Sequence, residues 1–345
     1  MTMEAIGIEL APVERWFKEH VLGVTLPLRA EIIAGGRSNL TYRVSDDAGA
    51  AWVLRRPPVG QVLVTAHDMS REWRVLSGLT GKVPVPRPVA YCEDSNVTGA
   101  PFHVTEFVDG VVLRDADDAS RTTDEFRLAA SRTFAEGLAA LHSVDPDAVG
   151  LGDLGKRTGY LQRQLARWNK QYESAHVTRV PELEQVYELL VKNRPDDGGQ
   201  VTVVHADYRL DNAIFSPASE LLAVVDWELC TLGDPLADLA SLLIYWAAPG
   251  EPSGMSFDWP TSAGGFLDRS DMVSIYEDAT GRDVSNLDYY LAFAHWRSAS
   301  IGVGALARLV DRDGDATEIA NMEDGTRYQI GRAAEAAGRF AGKRA

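Results

Sequence analysis

Apolar positions recur along this chain with two different periods, and the change of period divides it. Up to residue 107, short apolar runs bounded by turn residues predict strands over residues 31–33, 40–44, 52–55, 89–91 and 102–107. Two helical stretches accompany them. Residues 12–22 place Val13, Trp16, Phe17 and Val21 near helical spacing, and residues 67–79 do the same with Met69, Trp73 and Leu76. Val108-Asp109-Gly110 reads as a hinge, so the expected division is 1–108 and 109–345. Beyond it the period is helical. Phe126, Ala130, Phe134, Leu138 and Leu141 form one buried stripe, ending at His142, which is expected to be a satisfied core residue. Further helices are predicted over 160–172, 181–192, 287–310 and 325–340, and from Asp234-Pro235 through Leu236, Leu239, Leu243 and Ala247. Residues 195–199, 251–265 and 311–323 are polar or Pro/Gly-rich and read as loops. The fold class is therefore α+β, with a small β-rich part followed by a larger helical one.

One stretch breaks the helical pattern. Residues 201–204, 213–215 and 221–225 are short apolar runs, and the polar segment 205–212 lies between the first two. Read as buried strands, these runs hold Asp207, Asn212 and Asp226 at one end of a small sheet. Three such oxygen-bearing side chains suit a hard cation such as Mg²⁺ and the phosphates it carries.

The spacing His205-Ala206-Asp207, then Asn212, then Asp226-Trp227-Glu228 resembles the aminoglycoside phosphotransferase and choline kinase-like family, which uses H-x-D-x-x-x-x-N and a later D-W/F-x strand end. The continuation Leu232-Gly233-Asp234-Pro235-Leu236-Ala237-Asp238-Leu239-Ala240 is similar to one branch, the phosphotransferase domain of some acyl-CoA dehydrogenase fusions. Residues 35–42, with their GG-x-SN-x-TY pattern, and the segment YLQRQLARW from Tyr160 resemble the same branch.

The resemblance implies a bilobal protein-kinase-like fold, with a β-rich N-lobe and a helical C-lobe. It also implies transfer of the γ-phosphate of ATP to a hydroxyl. Asp207 would accept the hydroxyl proton, Asn212 and Asp226 would hold Mg²⁺, and His205 would brace the loop. Glu228 would either assist the metal or bond to backbone. Gly35-Gly36 between strands is first of all a hairpin turn. Ahead of a kinase-like catalytic loop, Gly35, Gly36, Ser38 and Asn39 read as a phosphate cradle. Val53 and Arg55 share one strand face, Val53 as a lid over adenine and Arg55 as a phosphate clamp where protein kinases place Lys; Arg56 is the neighbouring alternative. Glu72 stands beside an apolar stripe and needs a cation, either Arg55 or a local Arg71 or Arg74. The adenine edge would meet backbone near Glu106 to Val108.

Only residues 227–233 separate Asp226 from the next helix, leaving no activation segment on which a peptide could lie. The expected acceptor is a small molecule carrying a hydroxyl, held by the C-terminal helices. Tyr290, Trp296, Arg297 and Arg308 are candidates for its wall, and the arginines suit an anionic hydroxy compound such as a hydroxyacyl-CoA.

Composition narrows the rest. The 345 residues carry 34 Lys plus Arg against 50 Asp plus Glu, a formal net charge of −16, which disfavours a nucleic-acid partner. Cys92 and Cys230 fit no metal or disulfide spacing. No signal peptide is evident, and the longest apolar run, residues 239–248, falls short of a membrane span. A cytoplasmic protein without a membrane partner is expected. The alternatives are an antibiotic kinase, a nucleotide-binding pseudokinase, and a metal-dependent hydrolase built on His205, Asp207 and Asp226.

Overall fold

The computed structural model describes residues 7–34, 39–59, 68–175, 179–196, 201–248, 250–251, 259–312 and 314–342. Gly35, Gly36 and Ser38, with residues 197–199 and 252–258 of the loops expected over 195–199 and 251–265, lie outside the described residues. The chain begins with α1 (Leu10–His20), β1 (Arg29–Ala34), β2 (Leu40–Ser45), β3 (Ala51–Arg56) and α2 (Met69–Leu79). It continues with β4 (Pro88–Cys92), the short α3 (Ser95–Thr98), β5 (Phe102–Glu106) and the short α4 (Ala116–Ser120). Helices α5 (Asp124–His142), α6 (Tyr160–Ser174) and α7 (Pro181–Lys192) follow, then β6 (Thr202–Val204), β7 (Ala213–Phe215), β8 (Leu221–Val224) and β9 (Thr231–Gly233). Helices α8 (Pro235–Ile244), α9 (Arg269–Thr280), α10 (Leu287–Val310) and α11 (Ala316–Gly342) complete it.

These elements form two compact units, one of Met1–Gly110 with Leu222–Cys230, the other of Val111–Leu221 with Thr231–Ala345. The first break falls at Gly110, beside the expected hinge, and the strand end that carries Asp226 belongs with the first unit. In that unit the sheet order is β1-β2-β3-β5-β4, antiparallel throughout. Alternation along β3 buries Trp52, Leu54 and Arg56 and turns Val53 and Arg55 to the opposite face. Tyr42, Val44, Leu54, Phe102 and Val104 form the core on which α1 lays Val13, Trp16 and Phe17. Trp16 meets Phe102 edge-on at 4.7 Å between ring centroids. Full burial of each such side chain contributes roughly 1.5–3 kcal/mol. On the other face, α2 packs against β4 and β5 and against the turn Trp227–Leu229. Asp68 caps α2 by accepting from the Ser70 and Arg71 amides, which satisfies donors that the first helical turn leaves open.

The second unit is helical around α8 and α10. Every residue of α8 is buried, in agreement with its near-continuous apolar sequence, and Asp234 caps it by accepting from the Leu236 amide at 3.0 Å. Strand β6 pairs antiparallel with β9, placing Val203 opposite Leu232. One expectation fails at the C-terminus. The predicted loop 311–323 is helical from Ala316, because Asp315 accepts from the Thr317 and Glu318 amides at 2.8 and 3.1 Å and starts the helix early. The acidic, weakly amphipathic first turns of α11 hide that start from a periodicity reading. Among the described residues no helix is long and apolar enough to cross a membrane.

Candidate functional site

In the first unit the chemistry gathers around one buried guanidinium. Arg55 leaves the β3 face opposite the core, and its Nη2 donates to Asp226 Oδ1 at 2.5 Å and to Glu228 Oε2 at 3.3 Å. Its Nε lies 3.3 Å from Glu72 Oε2 on α2, an ion pair without hydrogen-bond alignment. Strand alternation puts Arg55 and Arg56 on opposite faces of β3. Arg56 points to the other face, where it donates to the carbonyls of Pro57, Gly7 and Thr98. Glu72 pairs with Arg55, while Arg71 reaches the Cys230 carbonyl at 2.8 Å.

One cation therefore faces three carboxylates, and the electrostatics follow from that count. Burial works against the Arg55 charge, but Glu72, Asp226 and Glu228 outweigh it and raise its pKa. Burial pushes Glu72 up to about 7; Arg55 pulls it back, while Asp226 and Glu228 push it further. The most deeply buried acid is thus the one least able to keep its charge. With all three ionised, the carboxylates outnumber the one guanidinium they share, an environment that favours a further cation. The Glu228 carboxylate meets Arg55 and the Asn39 side-chain amide, the latter at 3.1 Å. Asn39, expected at a phosphate, is held in this way. Sequence reading also missed His103, which lies opposite Arg55 on β5. Burial, reinforced by the Arg55 charge, lowers it to about 3, so a neutral imidazole stands beside Arg55. Glu106 is exposed towards Arg87, its Oε2 3.1 Å from the Arg87 Nε, and its amide donates to the Arg87 carbonyl. Val108 lies two residues past the end of β5.

Asp226 has φ of 66°, a left-handed conformation that costs a non-glycine residue about 1 kcal/mol or more. Ala206, in the second unit, has φ of 68°. There the cause is visible. The buried Asp238 of α8 accepts from the His205 amide at 2.6 Å and the Ala206 amide at 2.7 Å, and its Oδ2 lies 3.3 Å from His142 Nε2. His142 in turn meets the Tyr276 hydroxyl at 2.8 Å, which accounts for it as a satisfied core residue. Burial would raise the Asp238 carboxyl, but bonds from His142 and His205 hold it below the usual carboxylate range. Asp238 therefore clamps the His205–Asp207 turn. The sequence carried that signal, because an acid four residues after the cap in an otherwise apolar helix needs a buried partner.

Asp207 projects from this turn half-buried. Asn212 donates its side-chain amide to the Asp207 carbonyl at 3.0 Å and to its Oδ2 at 3.4 Å, so a cation would meet the Asn212 carbonyl oxygen. His205 is fully buried, and its Nδ1 is 3.3 Å from the Asp207 amide, the geometry of a brace. Arg209 was overlooked in the sequence. Its Nε lies 3.1 Å from Asp211 Oδ1 and 3.6 Å from Asp207 Oδ1, and its guanidinium carbon stands 5.2 Å from the Tyr245 ring centroid.

The four acceptor candidates on α10 separate. Tyr290 is buried and donates to Asp234 at 2.7 Å, tying α10 to the start of α8. Trp296 is 1% exposed and stacks on Tyr187 at 5.4 Å. Both are core aromatics, a correction that follows from their helical spacing on a helix packed between neighbours. Arg297 instead donates to the Ala206 carbonyl at 3.2 Å and lies over Trp168 at 5.2 Å. Arg308 is exposed. Among the described residues no group of three or more His, Cys, Asp or Glu side chains is arranged to hold a metal ion. Mg²⁺ needs less protein than that, typically one or two carboxylates with phosphates and water.

Comparison with known proteins adds the lineage. The family model for the phosphotransferase enzyme family (APH) matches residues 29–257. Acyl-CoA dehydrogenase family member 11 of Homo sapiens is 32% identical over 304 residues, covering 86% of this chain and 39% of that protein. Family member 10 of Mus musculus is 36% identical over 278 residues, covering 79% of this chain and 26% of that protein. The chain thus spans about two fifths or less of these relatives' length. A solved structure of a candidate aminoglycoside phosphotransferase from Ralstonia eutropha JMP134 superposes with a TM-score of 0.81 at 34% identity, covering 96% of this chain and 98% of that one. Choline kinase from Cryptosporidium parvum reaches 0.64 at 12% identity over 97% of each chain, a likeness of fold alone. The fold is protein-kinase-like, and the chain belongs to the phosphotransferase enzyme family.

Proposed function

We propose that this protein transfers the γ-phosphate of Mg·ATP to a hydroxyl of a small, anionic acceptor, for example a hydroxyacyl-CoA. The observation that carries the reading is the half-buried Asp207, braced by His205 and bonded by Asn212, in a chain of this family. Phosphoryl transfer asks mainly for positioning and charge neutralisation. In the proposed reaction the acceptor oxygen forms a bond to the γ-phosphorus, its proton passes to Asp207, and the bond to the bridging oxygen breaks to release ADP. Arg55 steadies the nucleotide phosphates, and Glu72 and Glu228 fix its direction. The phosphate-cradle role of Gly35, Gly36, Ser38 and Asn39, and adenine contact with the backbone of Glu106 and Val108, belong to the same proposal.

Asp226 and Asn212 would hold Mg²⁺. The fit rests on donor chemistry: a carboxylate, a carboxamide oxygen and the negative excess around Arg55 suit a hard divalent ion. When bound, the ion neutralises charge on the phosphate oxygens. Arg297, and more distantly Arg308, supply positive charge for an anionic acceptor, and the short connection from Asp226 to α8 supports a small acceptor over a peptide. Asp226→Ala is expected to weaken Mg·ATP binding at least about 10-fold, the scale of losing one charged ligand. Titration calorimetry at fixed Mg²⁺ checks it, and unchanged affinity together with unchanged turnover contradicts the assignment.

A further inference from the structure

Arg209 stands apart from the arginines elsewhere in the chain. It lies in the loop between Asp207 and Asn212, is about three-quarters buried, and contacts two acids and two aromatic rings. Its Nε and Nη2 engage the two oxygens of Asp211, and its Nε is 3.6 Å from Asp207 Oδ1. The guanidinium carbon lies 5.2 Å from the Tyr245 ring centroid and 5.9 Å from that of Trp259. Among the described residues Nη1 has no hydrogen-bond partner. A guanidinium has donors to spare, keeps its charge at any physiological pH, and loses little freedom when stacked on rings.

A second guanidinium reaches the same turn. Arg297 bonds the Ala206 carbonyl and is backed by Trp168. Asp207 and Asp211 are thus accompanied by two fixed guanidiniums, each lying over an aromatic face, so the two acids present no excess negative charge. A turn balanced in this way draws an ammonium-rich acceptor less than an acidic lining would, and a guanidinium edge can grip a carboxylate or phosphate through two parallel bonds.

We propose that Arg209 determines acceptor specificity: caged by Tyr245 and Trp259 and held beside Asp207, it receives a carboxylate or phosphate of the acceptor and excludes polycationic hydroxyl compounds. The proposal rests on the phosphotransferase reading of Asp207. Bonding to Asp211 keeps the guanidinium plane fixed when no acceptor is present, so the anion meets a preorganised edge. Proximity to Asp207 brings the acceptor hydroxyl to the group that takes its proton.

The test is initial-rate kinetics of wild type, Arg209→Met and Arg209→Lys with three probes: 3-hydroxybutyrate, 3-hydroxybutyryl-CoA and kanamycin. The first two separate a carboxylate from CoA phosphates as the source of negative charge. Wild type is expected to favour one of these two over kanamycin. Arg209→Met should raise KM for that anionic probe about 10–100-fold, the scale of one charge-assisted contact, with a smaller change in kcat and none in KM for Mg·ATP. The kcat/KM for kanamycin should rise. Arg209→Lys keeps the charge without the planar fork and should fall between, which also serves if the Met variant fails to fold. A wild type that favours anions while both variants keep its preference overturns the role of Arg209 alone. A wild type that favours kanamycin, or transfers phosphate to none of the three, overturns the anionic-acceptor reading and this role together.

Discussion

Asp207→Asn is expected to lower phosphoryl transfer about 10²–10⁴-fold, the usual contribution of a positioned base, and to leave Mg·ATP affinity unchanged. The substitution is nearly isosteric. The bond from Asn212 to the residue 207 carbonyl survives it, as do the two backbone bonds to Asp238 that set the turn. What disappears is the proton acceptor and the charge facing Arg209. Steady-state rates and a binding isotherm on one preparation separate these effects. A variant that turns over at close to the wild-type rate removes Asp207 from the chemistry.

The second large effect is on stability. Asp238→Ala should cost about 3–5 kcal/mol, the scale of breaking a buried charged network. The His205 and Ala206 amides and His142 Nε2 would lose their shared acceptor. The left-handed Ala206, at φ of 68°, would lose the contact that holds it. Asp238→Asn keeps one acceptor oxygen and should lose less. Equilibrium urea unfolding reads both variants, and a loss under about 1 kcal/mol for the alanine variant would show that the turn is held by other means.

The strands and most helices were legible because burial imposes its period on the sequence. Helix α7 falls on its predicted residues, and α10 does too. Alternation on β3 was legible in the same way, but which of the neighbouring Arg55 and Arg56 meets Glu72 is visible only in the structure. Three parts were hidden for physical reasons. The early start of α11 depends on a cap, Asp315, which looks like any acid in an acidic loop. Tyr290 and Trp296 have the composition of a binding wall, but only packing reveals that their faces are already covered. Asp238 and the rings beside Arg209 act through contacts distant in sequence, Asp238 with a turn 32 and 33 residues away, so the sequence shows that a buried acid needs a partner but not which partner it finds.

The most direct test of the account is the fate of the γ-phosphate. The protein is incubated with Mg²⁺, γ-labelled ATP and a hydroxyacyl-CoA, and the products are separated and counted. The account predicts ADP and a phosphorylated acceptor in equal amounts, formed only when Mg²⁺ is present and lost in Asp207→Asn. Label recovered solely as inorganic phosphate, or transfer that continues undiminished without a divalent ion, would contradict it.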